Sequence, residues 1–263
     1  MRRTYLVDDS DLMDPAGRWG VFLRSQPSAP PQRKSAELSL FHRPGVSVER
    51  GGWEPRTLAL GIGVMETSEA SVEANADALF GLLSRASTVS RVVGDQVLTA
   101  AVVGVDISDP NRVSHSQWHL EAVFRLQPFW SEANAITSAV KLIPGSVTFA
   151  EWAGSTGDVV DGVLRVRGPL TRCSVTSADG RGLSFEYELT ASQYAFIDPV
   201  NVRAWRGGSS QWTPSANLIP LDYPAAGTLV LTPGGNGVAL TVTAEGTDPQ
   251  TSGIVLRGRR WWL

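Results

Sequence analysis

The sequence predicts a mainly β chain in two modules: an α+β module with one helix over residues 1–133, then an all-β sandwich or jelly roll over 134–263. Three observations carry this. Long stretches alternate apolar and polar residues with the period of two that a half-buried strand needs. One stretch, in the first half, shows a helical stripe instead. After residue 133 the pattern becomes short strands separated by glycine-rich turns.

Taken in order, the chain opens on MRRTYLVDDSDLMD, where Asp8, Asp9, Asp11 and Asp14 cluster. Leu12 and Met13 break the alternation of oxygen ligands and no glutamate closes the loop, so a solvated acidic turn is expected rather than a calcium site. Residues 25–45, SQPSAPPQRKSAELSLFHRPG, form a long proline-rich loop. Its front favours an extended arm, and AELSLF has room for a short hairpin strand. TLALGIGV (57–64) is a strand with Leu58, Leu60, Ile62 and Val64 on one face and Ala59, Gly61 and Gly63 on the other. Such a small-residue face admits another backbone or the chain's own helix. That helix spans about Ser71 to Arg85, with Val72, Ala76, Leu79, Phe80 and Leu83 in one stripe and Ser68 or Ser71 as its cap. VLTAAVVGVD (97–106) is apolar on both faces, as a central strand is. WHLEAVFRLQPFW (118–130) alternates cleanly until Pro128, which has no N–H to continue a ladder.

The second half restarts after SEANAITSA (131–139) without a helix. GVLRVRG (162–168), GLSFEYELT (182–190), GTLVLT (227–232), GVALTVTA (237–244) and SGIVLRGRRWWL (252–263) read as strands. DGRG (179–182) and PGGNG (233–237) are hairpin turns. In the terminal strand Arg257, Arg259 and Trp261 share one face, with Ile254, Leu256 and Trp262 on the other.

Composition narrows the function classes. With 42% hydrophobic and 19% charged residues the chain is expected to fold around a core. Through Ala133 there are 13 basic and 16 acidic residues, and after it 10 and 10, matching the whole-chain 23 and 26. Neither half has the basic excess that a tight nucleic-acid binder needs. Cys173 is the only cysteine, which excludes an internal disulfide and a cysteine zinc site. No apolar run is long enough for a signal peptide or a membrane span, so synthesis in a reducing cytoplasm without membrane insertion is expected. Only Lys34 and Lys141 are lysines. Arginine's planar fork suits protein interfaces.

No catalytic constellation emerges. His115 and His119 lie on or beside a strand, where positions four apart are roughly 13 Å from one another and share no metal. His42 has no partner in sequence, and no histidine follows residue 133. LGIGVME lacks the third glycine of a dinucleotide loop. Glu186 and Glu188 share a strand face rather than opposing one another across a cleft. Of nine tryptophans, Trp152, Trp205, Trp212, Trp261 and Trp262 follow residue 133; exposed ones could stack on sugars or line a subunit contact.

The order TLALGIGVME, SVEANADALFGLLSR, TVSRVVGDQVLTAAVVGV and WHLEAVFRLQPFW resembles the N-terminal ring domain of siphophage distal tail (Dit-like) proteins, whose closing strand commonly ends in a proline and an aromatic, as QPFW does. The second half, with NLIPLDYPAAGTLVLTPGGNGVALTVTA (217–244), resembles the galectin-like or carbohydrate-module-like sandwich that follows it. The resemblance implies a ring-forming domain over 1–133 with its arm at 25–45, and a galectin-like sandwich over 134–263. It implies a structural virion protein, a minor tail protein of the tail tip made in the host cytoplasm. Its hexameric ring would join the tail tube to the baseplate hub, with tail tube, tape measure and tail-hub proteins as partners. No enzymatic activity, cofactor or metal follows from it.

Because a belt hairpin in such proteins often clasps the neighbouring subunit, the subunit interface is expected at Pro30, Pro31, Arg33, Leu38, Leu40 and Phe41 of the arm. Ala59, Gly61 and Gly63 are its expected counterpart. The first half's excess of three acidic residues would also suit a channel that DNA crosses without sticking. The alternative is a carbohydrate-binding adhesin touching the host envelope, with Trp205, Trp212 and Trp261 as glycan or partner contacts. Galectin sugar sites use a histidine, an asparagine, an arginine and a tryptophan. With no histidine after residue 133, that site does not carry over.

Overall fold

A computed structural model describes residues 4–22, 31–39 and 46–263. The chain divides into two compact units, Met1–Ala133 with Leu263, and Asn134–Trp262. It is mainly β, with antiparallel sheets and one α-helix among the described residues.

The first unit runs β1 (Thr4–Val7), β2 (Ser10–Asp11), β3 (Trp19–Val21), β4 (Arg33–Ser39), β5 (Val46–Trp53), β6 (Arg56–Met65), α1 (Glu69–Ser84), β7 (Thr88–Val93), β8 (Gln96–Ile107), β9 (Asn111–Ser114), β10 (Gln117–Leu126) and β11 (Trp130–Glu132). Its main sheet has the order β2-β1-β7-β8-β10-β6-β3, with β9 beside β10 and β11 beside β8. β8 is long because it changes partner: residues 96–101 pair with β7, and 102–107 pair with β10. Leu58, Leu60, Ile62 and Val64 of β6 are buried, as are Leu120, Ala122, Phe124 and Leu126 of β10. Helix α1 packs on this sheet through Val72, Ala76, Leu79 and Leu83. Of the two expected caps, Ser68 takes the role, its Oγ accepting from the Ser71 N–H at 3.2 Å.

The acidic opening serves the fold. Asp8 and Asp9 both have positive φ, 46° and 64°, as the two-residue turn between β1 and β2 requires. The Asp8 carboxylate then accepts from the N–H and hydroxyl groups of both Ser87 and Thr88 at the start of β7. Asp14 grips Arg18 twice, at 2.9 and 3.0 Å, and this hydrogen-bonded pairing pulls its carboxyl down to about 2. Because the folded value lies below the ordinary aspartate value of 3.8, the pair supports the fold fully above that pH. The support is lost as pH falls toward 2. An NMR titration should therefore find Asp14 still ionised at pH 3. A midpoint near the unperturbed value would contradict the pairing.

The second unit runs β12 (Ile136–Thr137), β13 (Lys141–Leu142), β14 (Gly145–Phe149), β15 (Val163–Arg167), β16 (Leu170–Thr176), β17 (Gly182–Leu189), β18 (Tyr194–Asp198), β19 (Arg203–Gly207), β20 (Leu218–Ile219), β21 (Pro233–Gly234), β22 (Gly237–Glu245), β23 (Gly253–Gly258) and β24 (Trp261–Trp262). One sheet has the order β12-β23-β15-β18-β19-β20, with β13 also on β23, and the other is β14-β22-β16-β17, with β21 on β22. Leu164, Val166, Ile197 and Leu256 from the first sheet and Phe149, Val175, Phe185 and Val242 from the second are buried. Alternation on both sheets thus makes a sandwich core.

Two strand expectations change. GTLVLT (227–232) is not a regular strand. Thr228 makes one isolated bridge to Gly182, and the Leu231 carbonyl accepts from the Val159 N–H, so its buried leucines fill the core from an irregular segment. The terminal strand breaks at Arg259–Arg260, which resets its alternation and turns Trp261 inward.

Cys173 lies in β16 with its side chain buried, and burial pushes its thiol up to about 12. A thiol reagent at pH 8 should leave the native protein unmodified and label it once denaturant is added. Rapid labelling of the native chain would contradict this placement.

Candidate assembly surface

The small-residue face of β6 lies opposite β10, with Ala59 facing Val123, Gly61 facing Glu121 and Gly63 facing His119. The helix does not cover it, since Val64, Ile62, Leu60 and Leu58 point the other way. The chain's own Phe22 sits there instead. A Cβ at Gly61 would come within 3.0 Å of Phe22 Cδ2, and one at Gly63 within 3.0 Å of Phe22 Cζ. Glycine is needed because the ring lies flat on the backbone. The Phe22 N–H donates to the Gly61 carbonyl at 2.8 Å, and its ring meets His119 edge-on at 4.5 Å. Phe22 remains 39% exposed, so the patch presents an aromatic ring rather than bare glycine. Nothing in the local sequence marks Phe22, because what it covers is distant in the chain.

The arm is a hairpin. β4 pairs with β5 from Ser39↔Val46 to Arg33↔Trp53, with a register shift between Arg33 and Ser35. Among the described strands these two pair only with each other. The base is tied to the unit: the Glu54 N–H donates to the Gln32 carbonyl at 2.8 Å, Pro31 is buried, and the Trp53 ring meets Phe129 edge-on at 5.4 Å. Phe129 of QPFW is thus a buttress for the hairpin's base. Of the expected arm residues, Arg33 and Leu38 lie in β4. Pro30, Leu40 and Phe41 lie outside the described residues.

The expected glycan or partner contacts in the second unit need correction. Trp205 is fully buried: it stacks on Phe196 with centroids 5.6 Å apart and donates Nε1–H to the Gln211 carbonyl at 3.0 Å. Trp261 is also buried and donates to Asp161 Oδ1 at 2.9 Å. Neither has a free face for a sugar. Trp212 is half-buried, with Arg165 and Arg257 over its ring.

His119 bonds Gln117 at 2.9 Å. Among the described residues no group of three or more His, Cys, Asp or Glu side chains could hold a metal ion. No helix among them is long and apolar enough to cross a membrane.

No family model matches the sequence, and no curated protein matches it. Solved structures do. The Dit (gp 19.1) protein of phage SPP1, described as a paradigm of the hub adsorption apparatus in phages infecting Gram-positive hosts, superposes with a TM-score of 0.57 at 12% identity, covering 99% of both chains. A chain of the phage P2 baseplate in its activated conformation with calcium matches at a TM-score of 0.36 and 12% identity, over 99% of this chain and 98% of that one. The corresponding strontium structure gives 0.34 and 11%, over 98% of each. The scores for the two baseplate chains are too low to argue from. Along essentially its whole length, the chain has the fold of SPP1 Dit.

Proposed function

We propose that the chain is a structural phage tail protein: a distal tail subunit whose copies close into a ring, hexameric by the resemblance, joining the tail tube to the tail tip or baseplate hub. The observation that carries the reading is the whole-length likeness to SPP1 Dit, a protein described as a paradigm of the hub adsorption apparatus. The hairpin β4–β5 supports it. A closed ring needs a head-to-tail interface in which one patch meets a different patch on the next copy. Among the described strands the hairpin pairs only with itself, which leaves it two outer strand edges, and edge pairing between chains supplies directional backbone hydrogen bonds. In this reading the hairpin, with Arg33 and Leu38, reaches the neighbour at Ala59, Gly61 and Gly63 over Phe22. Tail tube, tape measure and tail-hub proteins are its partners in the virion, and it does no catalysis. Antibodies against the second unit should decorate virions at the tail tip in immuno-electron microscopy. Label confined to capsids, or absent from particles, would contradict the reading.

A further inference from the structure

The outer face of the sheet containing β15 carries three arginines that the ring reading does not use. Arg165 and Arg167 lie two apart on β15, and Val163 on the same side pairs with Arg257 of β23, so all three share one face. Across β18, Arg165 faces Phe196 and Arg167 faces Tyr194. The loop between β19 and β20 lays Trp212 over them. Its ring is 5.1 Å from Arg165 Cζ and 5.4 Å from Arg257 Cζ, and it meets Phe196 edge-on. Arg165 is also 5.3 Å from the Tyr194 ring and donates to the Ser209 carbonyl, while Arg167 donates to the Ala191 carbonyl at 3.0 Å.

Their charges are not balanced by nearby carboxylates among the described residues. Arg172, Arg181, Arg203 and Arg259 of the same unit each have a carboxylate within 4.0 Å. Among the described residues Arg165, Arg167 and Arg257 have none. Burial lowers the Arg165 guanidinium below its usual value; Tyr194 opposes this, and the charge of Arg167 adds to it. Three cations without counter-charge, two of them, Arg165 and Arg257, held against aromatic rings, form a surface that gains from an anion.

We propose that this face docks an acidic, extended segment of another protein, its carboxylates taken by Arg165, Arg167 and Arg257 and its apolar atoms by Trp212 and Tyr194. Arginine, tryptophan and tyrosine are the residues that concentrate binding energy in protein interfaces. Guanidinium forks match carboxylates in pairs. An extended peptide repeats its same-side residues every ~7 Å, the same spacing as Arg165 and Arg167 on their strand. The aromatic rings already carry guanidiniums, which leaves no bare platform for a sugar. A phosphate chain would satisfy the cations but not the apolar edges. The proposal does not depend on ring closure.

The test is fluorescence anisotropy of a labelled (Glu-Thr)5 peptide with the full chain at low salt, beside (Gln-Thr)5 and a polyphosphate of equal charge. The expected result is binding of (Glu-Thr)5 alone or most tightly, weakened at least tenfold in Arg257→Gln and in Arg167→Gln, and unchanged in Arg181→Gln. Arg167 is exposed, so its variant keeps the test decisive if Arg257→Gln misfolds. Absence of binding, tighter binding of polyphosphate, or affinity indifferent to Arg167→Gln would overturn the proposal.

Discussion

Replacing residues 34–52 by a two-residue Asn-Gly turn should leave a folded protein that no longer forms rings. β4 and β5 exchange their ladder bonds only with each other among the described strands, so removing most of the hairpin takes no ladder bond from the described strands of the main sheet. The base survives: the pair Arg33↔Trp53 closes the shortened turn, the Glu54–Gln32 bond lies outside the cut, and Trp53 keeps Phe129. Thermal unfolding should shift little, while sedimentation velocity should show the assembled species gone. Rings persisting unchanged would remove the hairpin from the mechanism. An unfolded product would show that the hairpin belongs to the core.

The second large effect is expected at Trp205, where alanine should cost about 3–5 kcal/mol of stability, the usual range for deleting a buried aromatic side chain. The side chain is fully buried, stacks on Phe196 with an interplanar angle of 8°, and supplies a hydrogen bond to the Gln211 carbonyl. Truncation opens a cavity beneath the β19–β20 loop and leaves that carbonyl without its donor. Trp212→Ala removes only a half-buried ring and should cost far less. Urea unfolding measures both. A Trp205→Ala change below about 1 kcal/mol would restore the surface role expected from sequence, since exposed positions fall within roughly ±0.5 kcal/mol.

Trp205 also shows where sequence reading stops. Alternation reveals a strand's two faces, but not that a later loop folds over the outer one. The strands that were legible, β6 and β10, bury one face and expose the other, which is the condition for a period of two. β18 was missed because Ala195, Phe196, Ile197 and Asp198 are all buried, leaving no alternation to read. In β16 the register shifts between Leu170 and Arg172, which breaks the period. GTLVLT misled in the opposite sense: its leucines are buried in a segment that is not a regular strand. The candidate surface divides the same way. The proline-rich stretch 25–45 overlaps only the first strand of the hairpin, β4, whereas β5 carries no proline to mark it, and the small residues of β6 are evident from composition. Phe22 over that face, and the arginines around Trp212, arise from contacts between distant segments that no local pattern records.

The central claim is that the first unit is completed by further copies of the same chain. Two-dimensional class averages of the purified protein in electron microscopy test it most directly. The account predicts closed rings of fixed symmetry, sixfold by the resemblance. A monodisperse single particle at every concentration, from a chain also missing from assembled tails, would contradict it.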